Sequence, residues 1–239
     1  MNVKSAGIVS LLAAGFALGS SQFSPANAYG VTNNKIITLN AGDVGRQLDP
    51  ITWLVPAGTG TLTQDLSARA IVKVLAFKAD FVDLSFNISN TTSANFNAAL
   101  VSFGLGIEEN VSSVRLTKAG TVFDSTTLLA SNKTFPGGFK GIDICTFAAN
   151  NCSGGDIKQG LQRGASDSFT LRIASKNGGF ASGITLASYP VKFQSDYGSH
   201  EVAGVPEPIT IVGSGLALGF GTLLKKEANK KRNKQKVKA

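Results

Sequence analysis

This chain of 239 residues has only one histidine and two cysteines. A Ser-His-Asp or Cys-His device needs an imidazole beside its nucleophile, so His200 would have to fold back and serve any such site alone. His200 sits in DYGSHEVAG, residues 196–204, a short polar stretch that reads as a linker. A histidine placed there is expected to be a solvated bystander. No second Cys or His pair exists to complete a zinc site. Paired carboxylates occur as Glu108-Glu109, but neighbours on a strand point to opposite faces and cannot flank one bond. D-x-D-x-D-G, H-E-x-x-H and G-x-x-x-x-G-K are all missing, and GLGIEENV lacks the dinucleotide fingerprint. The expectation is a chain with no catalytic residues, no cofactor and no metal.

Charge is also scarce, at 16% of residues, yet the formal net charge is +8. Its position decides what it means. Lys225, Lys226, Lys230, Lys231, Arg232, Lys234, Lys236 and Lys238 stand against a single Glu227 in the terminal tail. The stretch from Tyr29 to Pro208 holds about as many acidic as basic residues, which argues against a phosphate-tracking surface and against nucleic acid as a partner. The basicity belongs to the tail.

Apolar runs are few and sit near the two termini. Met1 to Lys4 is a positive n-region, AGIVSLLAAGFAL is an apolar h-region, and GSSQFSPANA closes on the small residues Ala26 and Ala28. This is the layout of a secretory signal peptide over residues 1–28, with cleavage expected after Ala28. In the oxidising compartment that export implies, Cys145 and Cys152 are expected to form a disulfide. Their spacing is not that of a C-x-x-C redox pair. Closing so small a loop contributes about 2–3 kcal/mol on the chain-entropy estimate.

Between the termini the pattern is that of strands. In DFVDLSFNIS, Val82, Leu84, Phe86 and Ile88 face one way while Asp83, Ser85 and Asn87 face the other. SFTLRIAS repeats this with Phe169, Leu171 and Ile173 inward. KIITL, ITWLV, IVKVLAF, ALVSFGLG, VSSVRLT and YPVKFQ are further candidates, separated by Gly, Asn, Ser and Thr clusters that mark turns. No window of the body shows convincing helical spacing; TLTQDLSARAIVKVLAF comes nearest and turns β-branched midway. The fold class expected is all-β, an antiparallel β-sandwich over residues 29–195 followed by one C-terminal transmembrane helix. Trp53 in ITWLVPAG reads most simply as a core residue; with Tyr189 and Tyr197 it would alternatively form a sugar-stacking platform for an exopolysaccharide. Asn-x-Ser/Thr triplets begin at Asn87, Asn90, Asn110, Asn132 and Asn151, and turn chemistry accounts for them as well as glycosylation does.

Residues 205–239 form a cassette. Pro206 and Pro208 fix φ and remove two donors, so Val205 to Glu207 is expected to be exposed, extended and unable to join a sheet. Ile209 to Leu224 carries no charge and reaches roughly 25 Å as a helix, near the lower limit for a bilayer. Gly215 and Gly219 in that run make a G-x-x-x-G pair. The lysines after it hold that end inside by the positive-inside rule.

Pro206-Glu207-Pro208, the adjoining apolar segment and the basic terminus together resemble the PEP-CTERM sorting signal of Gram-negative bacteria. The resemblance implies recognition by an exosortase, with Pro206, Glu207 and Pro208 as the motif, residues 209–224 as a transient inner-membrane anchor and residues 225–239 as the retention tail. The tail departs from the brief Arg-rich cluster of many members and looks like the cyanobacterial version. FGLGIEEN, ICTFAANNCSGG, SDSFTLRI and PVKFQ further resemble the cistern family of PEP-CTERM proteins. What this implies is an address, the cell surface or extracellular matrix, and not an activity.

The mature protein is expected to lack residues 1–28, and non-reducing peptide mapping to join Cys145 to Cys152. Alkylation of both thiols in the oxidised native protein would refute the pairing.

Overall fold

A computed structural model describes residues 30–32 and 36–207. They form two antiparallel sheets over a shared apolar core, with three short 3-10 turns and no α-helix among the described residues. The expected signal peptide over residues 1–28, the expected transmembrane helix over residues 209–224 and the basic tail lie outside the described residues.

The first sheet is built around β6 (Ala98–Ile107), a strand buried at every position. Its near-continuous apolar sequence, AALVSFGLGI, suits a strand covered on both faces rather than one. Along one flank run β13 (Pro190–Ser195) and β12 (Ile184–Ser188), and along the other β9 (Ile144–Phe147) and β10 (Leu161–Gln162). Farther out, β14 (Gly198–Ala203) pairs with β13, β8 (Ser125–Leu128) with β9, β2 (Ile36–Leu39) with β12, and β1 (Gly30–Thr32) with β2.

The second sheet has the order β15 (Val205–Pro206), β3 (Ile51–Val55), β4 (Leu66–Phe77), β5 (Phe81–Asn90), β11 (Ser166–Ser175) and β7 (Val111–Lys118). The alternation read in β5 and β11 is realised directly. Val82, Leu84 and Phe86 stand opposite Ile173, Leu171 and Phe169, all on the buried face. The stretch with the most helical spacing, residues 61–77, supplies β4 instead, because Ala68, Ala70, Val72 and Val74 alternate into the core.

Aromatic rings tie the sheets together. Phe103 of β6 lies 5.2 Å from Phe86 and 6.1 Å from Trp53 between ring centroids, while Phe86 stacks on Phe169 at 5.3 Å. Offset and edge contacts of this kind add to the stabilisation from area burial alone.

The outer face of the first sheet is not exposed. The long connection between β8 and β10 folds back over β6, with Phe135, Ile142 and Cys145 as a small second core. The approach is close enough that a Cβ at Gly104 would stand 2.9 Å from Phe135 Cδ2 and 2.8 Å from Pro190 Cγ. Glycine is therefore required in mid-strand, where it would otherwise weaken pairing.

Two expectations need correction. Residues 196–204 are not a linker: Asp196 and Tyr197 make a two-residue turn between β13 and β14, and Val202 packs against the core. The sandwich accordingly runs past residue 195 to Glu207. Val205 to Glu207 is extended as expected, but it does join a sheet, as β15.

One carboxylate organises the loop after β7. Asp167 accepts hydrogen bonds from the backbone N–H groups of Thr121 (2.9 Å), Val122 (3.0 Å) and Phe123 (2.8 Å) and from the Thr121 hydroxyl (3.0 Å). Burial pushes its pKa up, but these donors outweigh it and leave the group below the ordinary carboxylate range. A depressed carboxylate contributes stability above its unfolded pKa and loses it as pH falls through the folded value. Asp167→Asn is expected to cost about 1–3 kcal/mol near neutral pH and to shallow the loss of stability below about pH 4, measured by urea unfolding across pH.

Candidate functional site

The sequence motif with the sharpest functional signal, Pro206-Glu207-Pro208, meets the described fold on β3. Val205 stands opposite Thr52 and Pro206 opposite Ile51. Glu207 N donates to Pro50 O at 2.7 Å, and Thr52 Oγ1 donates to Val205 O at 3.3 Å. Pro206 fits because N–H groups alternate in direction along a strand. Glu207 N points toward β3, so the donor that Pro206 lacks belongs to the outward edge, where nothing would receive it. Its ring is buried, whereas Val205 is 40% exposed. Pro208 lies outside the described residues.

The chain reaches this edge through a tight passage. Trp53 Nε1 donates to Tyr189 O at 2.6 Å, and Gly204 N donates to the same oxygen at 2.8 Å. A Cβ at Gly204 would collide with the Trp53 indole and fall 2.7 Å from Ile51 Cγ2. Gly204 is thus the point at which β14 can turn across the indole and deliver Val205 to the second sheet.

Trp53 is a core residue, 2% exposed, and Tyr189 is likewise buried with its hydroxyl donating to Leu186 O. Neither can take part in a sugar-stacking platform. Tyr197 is exposed and packs edge-on to Phe96, with centroids 4.8 Å apart. No aromatic row faces solvent on either sheet among the described residues.

Cys145 and Cys152 stand at disulfide distance, with S–S 2.09 Å and Cα–Cα 5.9 Å. The pair clips the segment covering β6 to β9. Lys192 of β13 adds a second fastening, donating to Ser153 O at 2.7 Å and facing Glu201 Oε1 at 3.6 Å.

The remaining polar residues are dispersed. Glu108 and Glu109 occupy the bend after β6, where Glu109 Oε2 accepts from Thr185 N at 2.7 Å. A shallow cavity of about 690 Å³ beside it is lined by Glu109, Asn110, Ser112, Lys176 and Asn177. Glu109 and Lys176 are the charged groups of its lining. No cluster of three or more metal-ligating side chains occurs among the described residues. No helix among them is long and apolar enough to cross a membrane. Of the Asn-x-Ser/Thr positions, Asn90 is buried with Nδ2 donating to Leu161 O and Ala98 O, so it is closed to modification.

His200 is not a solvated bystander. It lies on β14 opposite Phe193, 9% exposed, with Nε2 lacking a hydrogen-bond partner. Sequence reading missed it because a lone histidine among Gly, Ser and Glu looks like a loop; the signal was its alternation with Val202.

No family model, curated protein or solved structure matches the chain.

Burial holds the His200 pKa below the ordinary value near 6.5, with neighbouring Glu201 and a hydrogen bond donated to the Tyr197 backbone carbonyl opposing the shift. The unfolded chain then binds a proton that the native one refuses, so stability is full above about pH 6.5 and declines below it. His200→Phe should flatten that decline between about pH 6.5 and pH 5 in chemical unfolding curves. An unchanged pH profile would show that the imidazole titrates normally in the fold.

Proposed function

We propose that this is an exported, non-enzymatic protein of the cell surface or extracellular matrix, sorted and cleaved by an exosortase at Pro206-Glu207-Pro208. The observation that carries the reading is the order of parts in one chain. A signal peptide comes first, then a close-spaced cysteine pair, and then the Pro-Glu-Pro motif followed by an uncharged run and a lysine cluster. The cysteine pair at disulfide distance supports folding in an oxidising compartment. The body supports it in another way. The described strands end at Pro206, so a cut just after the motif removes no described strand.

The docking of β15 gives this reading a kinetic consequence. An enzyme that grips the motif as an extended segment must first lift Val205 and Pro206 from β3. Two residues of edge pairing are weak, because the ends of sheets open most readily. Processing therefore needs no global unfolding, and its rate follows the local opening of β15.

The test is expression in a host with and without its exosortase, followed by intact mass of the released protein. The expected product starts at Tyr29 and ends near Pro208, and deletion of the enzyme leaves the chain in the membrane fraction with its lysine tail. Gly204→Ala, which crowds the indole and loosens β15, should raise the cleavage rate. A released form that retains the lysine tail would overturn the proposal.

A further inference from the structure

The two outer faces of the sandwich differ in what they present. That of the first sheet lies under the segment holding the cysteine pair, whereas that of the second is bare. On the bare face, opposed residues of β5 and β11 form rows of short hydroxyl and amide side chains, Asn87 with Ser168 and Ser89 with Ser166, followed by Ser85 opposite a Thr170 that is itself buried. Two of these rows are linked across the strands, Asn87 Nδ2 to Ser168 Oγ at 2.7 Å and Ser89 Oγ to Ser166 Oγ at 2.7 Å. Long cations flank them. Arg69 and Lys73 lie on β4 opposite Ser89 and Ser85, and on β7 Lys118 lies opposite Thr170 and Arg115 opposite Arg172.

The result is a trough of small polar groups between two cationic rails. Strands lie about 4.8 Å apart, so the rails on β4 and β7 are separated by about 14 Å. Arg69, Lys73, Arg115 and Lys118 are all exposed. The opposing carboxylate on this face, Asp83, is already taken by Arg172, which binds it through Nε at 2.7 Å and Nη2 at 2.6 Å. Residues 29–208 hold 14 basic and 14 acidic side chains, so this concentration is made by the fold and not by composition.

We propose that this face binds an acidic polysaccharide lying along the trough, its carboxylates or sulfates against the rails and its hydroxyls against the Ser and Asn rows. Charge complementarity selects a polyanion. The chemistry of the trough selects among polyanions. Small hydroxyl and amide groups exchange hydrogen bonds with sugar hydroxyls, while the lack of an exposed aromatic row removes the stacking platform that single-stranded nucleic acid uses. The face is made of strands, with no α-helix among the described residues to enter a duplex groove. This deepens the proposed surface role and rests on it only for the setting in which such a polymer would be met.

Binding of the full chain, held in an uncharged detergent, is measured against polygalacturonate, dextran and duplex DNA across a salt series. Polygalacturonate is expected to bind with strong salt dependence, dextran not to bind, and DNA to bind more weakly at matched salt. Arg69→Ser, Lys73→Ser, Arg115→Ser and Lys118→Ser combined should lower polygalacturonate affinity about ten-fold or more. A control removes the same four charges from the tail, as Lys225→Ser, Lys226→Ser, Lys230→Ser and Lys231→Ser, and should leave most of the affinity. Ser168→Glu, which keeps the rails and places an anion in the trough, should weaken binding as the rail variant does. Equal losses from the face and tail variants, or DNA bound as tightly as polygalacturonate, would overturn the proposal. Failure of cleavage in the exosortase experiment, with polygalacturonate still bound through this face, would reject the sorting reading alone.

Discussion

The structure depends on the double burial of β6. Phe103 projects from its inner side into the Trp53, Phe86 and Phe169 rings of the second sheet. Gly104, on the opposite side, receives Phe135 and Ile142 of the covering segment. A strand so enclosed has no solvent to satisfy its backbone, so both of its edges must be paired along its length. That need accounts for the arrangement of the first sheet, in which β13 and β12 share one edge and β9 and β10 the other. Short strands suffice for the flanks because the central one is long.

Covering β6 fixes the difference between the two outer faces. The segment that does so is rich in glycine, and its few large apolar side chains gather into one small cluster. It is held by three features: the small core around Phe135, the Cys145–Cys152 contact, and Lys192 reaching Ser153 O. The cysteine pair therefore acts on the cover of the sheet more than on the central core, whose apolar area is ample for a domain of this length. The second sheet, covered on its inner side only, keeps the alternation of a half-solvated strand, and its outer side chains are free to form a recognition surface.

The third feature is the meeting of address and body at β3. Gly204 carries the chain across the Trp53 indole, and Pro206 closes the sheet edge at the one strand position where a missing N–H costs nothing. The same proline that would stop a strand from extending further also blunts an exposed edge against edge-to-edge pairing. Val205 and Pro206 are the last paired residues among those described.

The amino-acid sequence by itself determined the local matters. Alternation in DFVDLSFNIS and SFTLRIAS fixed which side chains face inward, since a period of two leaves only two faces to choose between. It also marked the cysteine pair as a short covalent loop and Val205 to Glu207 as extended chain, though not as a strand. Tertiary structure decided whatever depends on residues far apart in sequence. Trp53 was legible as a core candidate, but Tyr189 O as its partner was not, because 136 residues separate them. His200 and residues 196–204 looked like a linker, since short polar strands at the end of a sheet owe their conformation to the neighbour they pair with and not to their own composition. The rails of Arg69, Lys73, Arg115 and Lys118 were invisible in a body of balanced charge. Antiparallel pairing alone carries cations from β4 and β7 onto one surface, where the carboxylate of Asp83 is already engaged by Arg172.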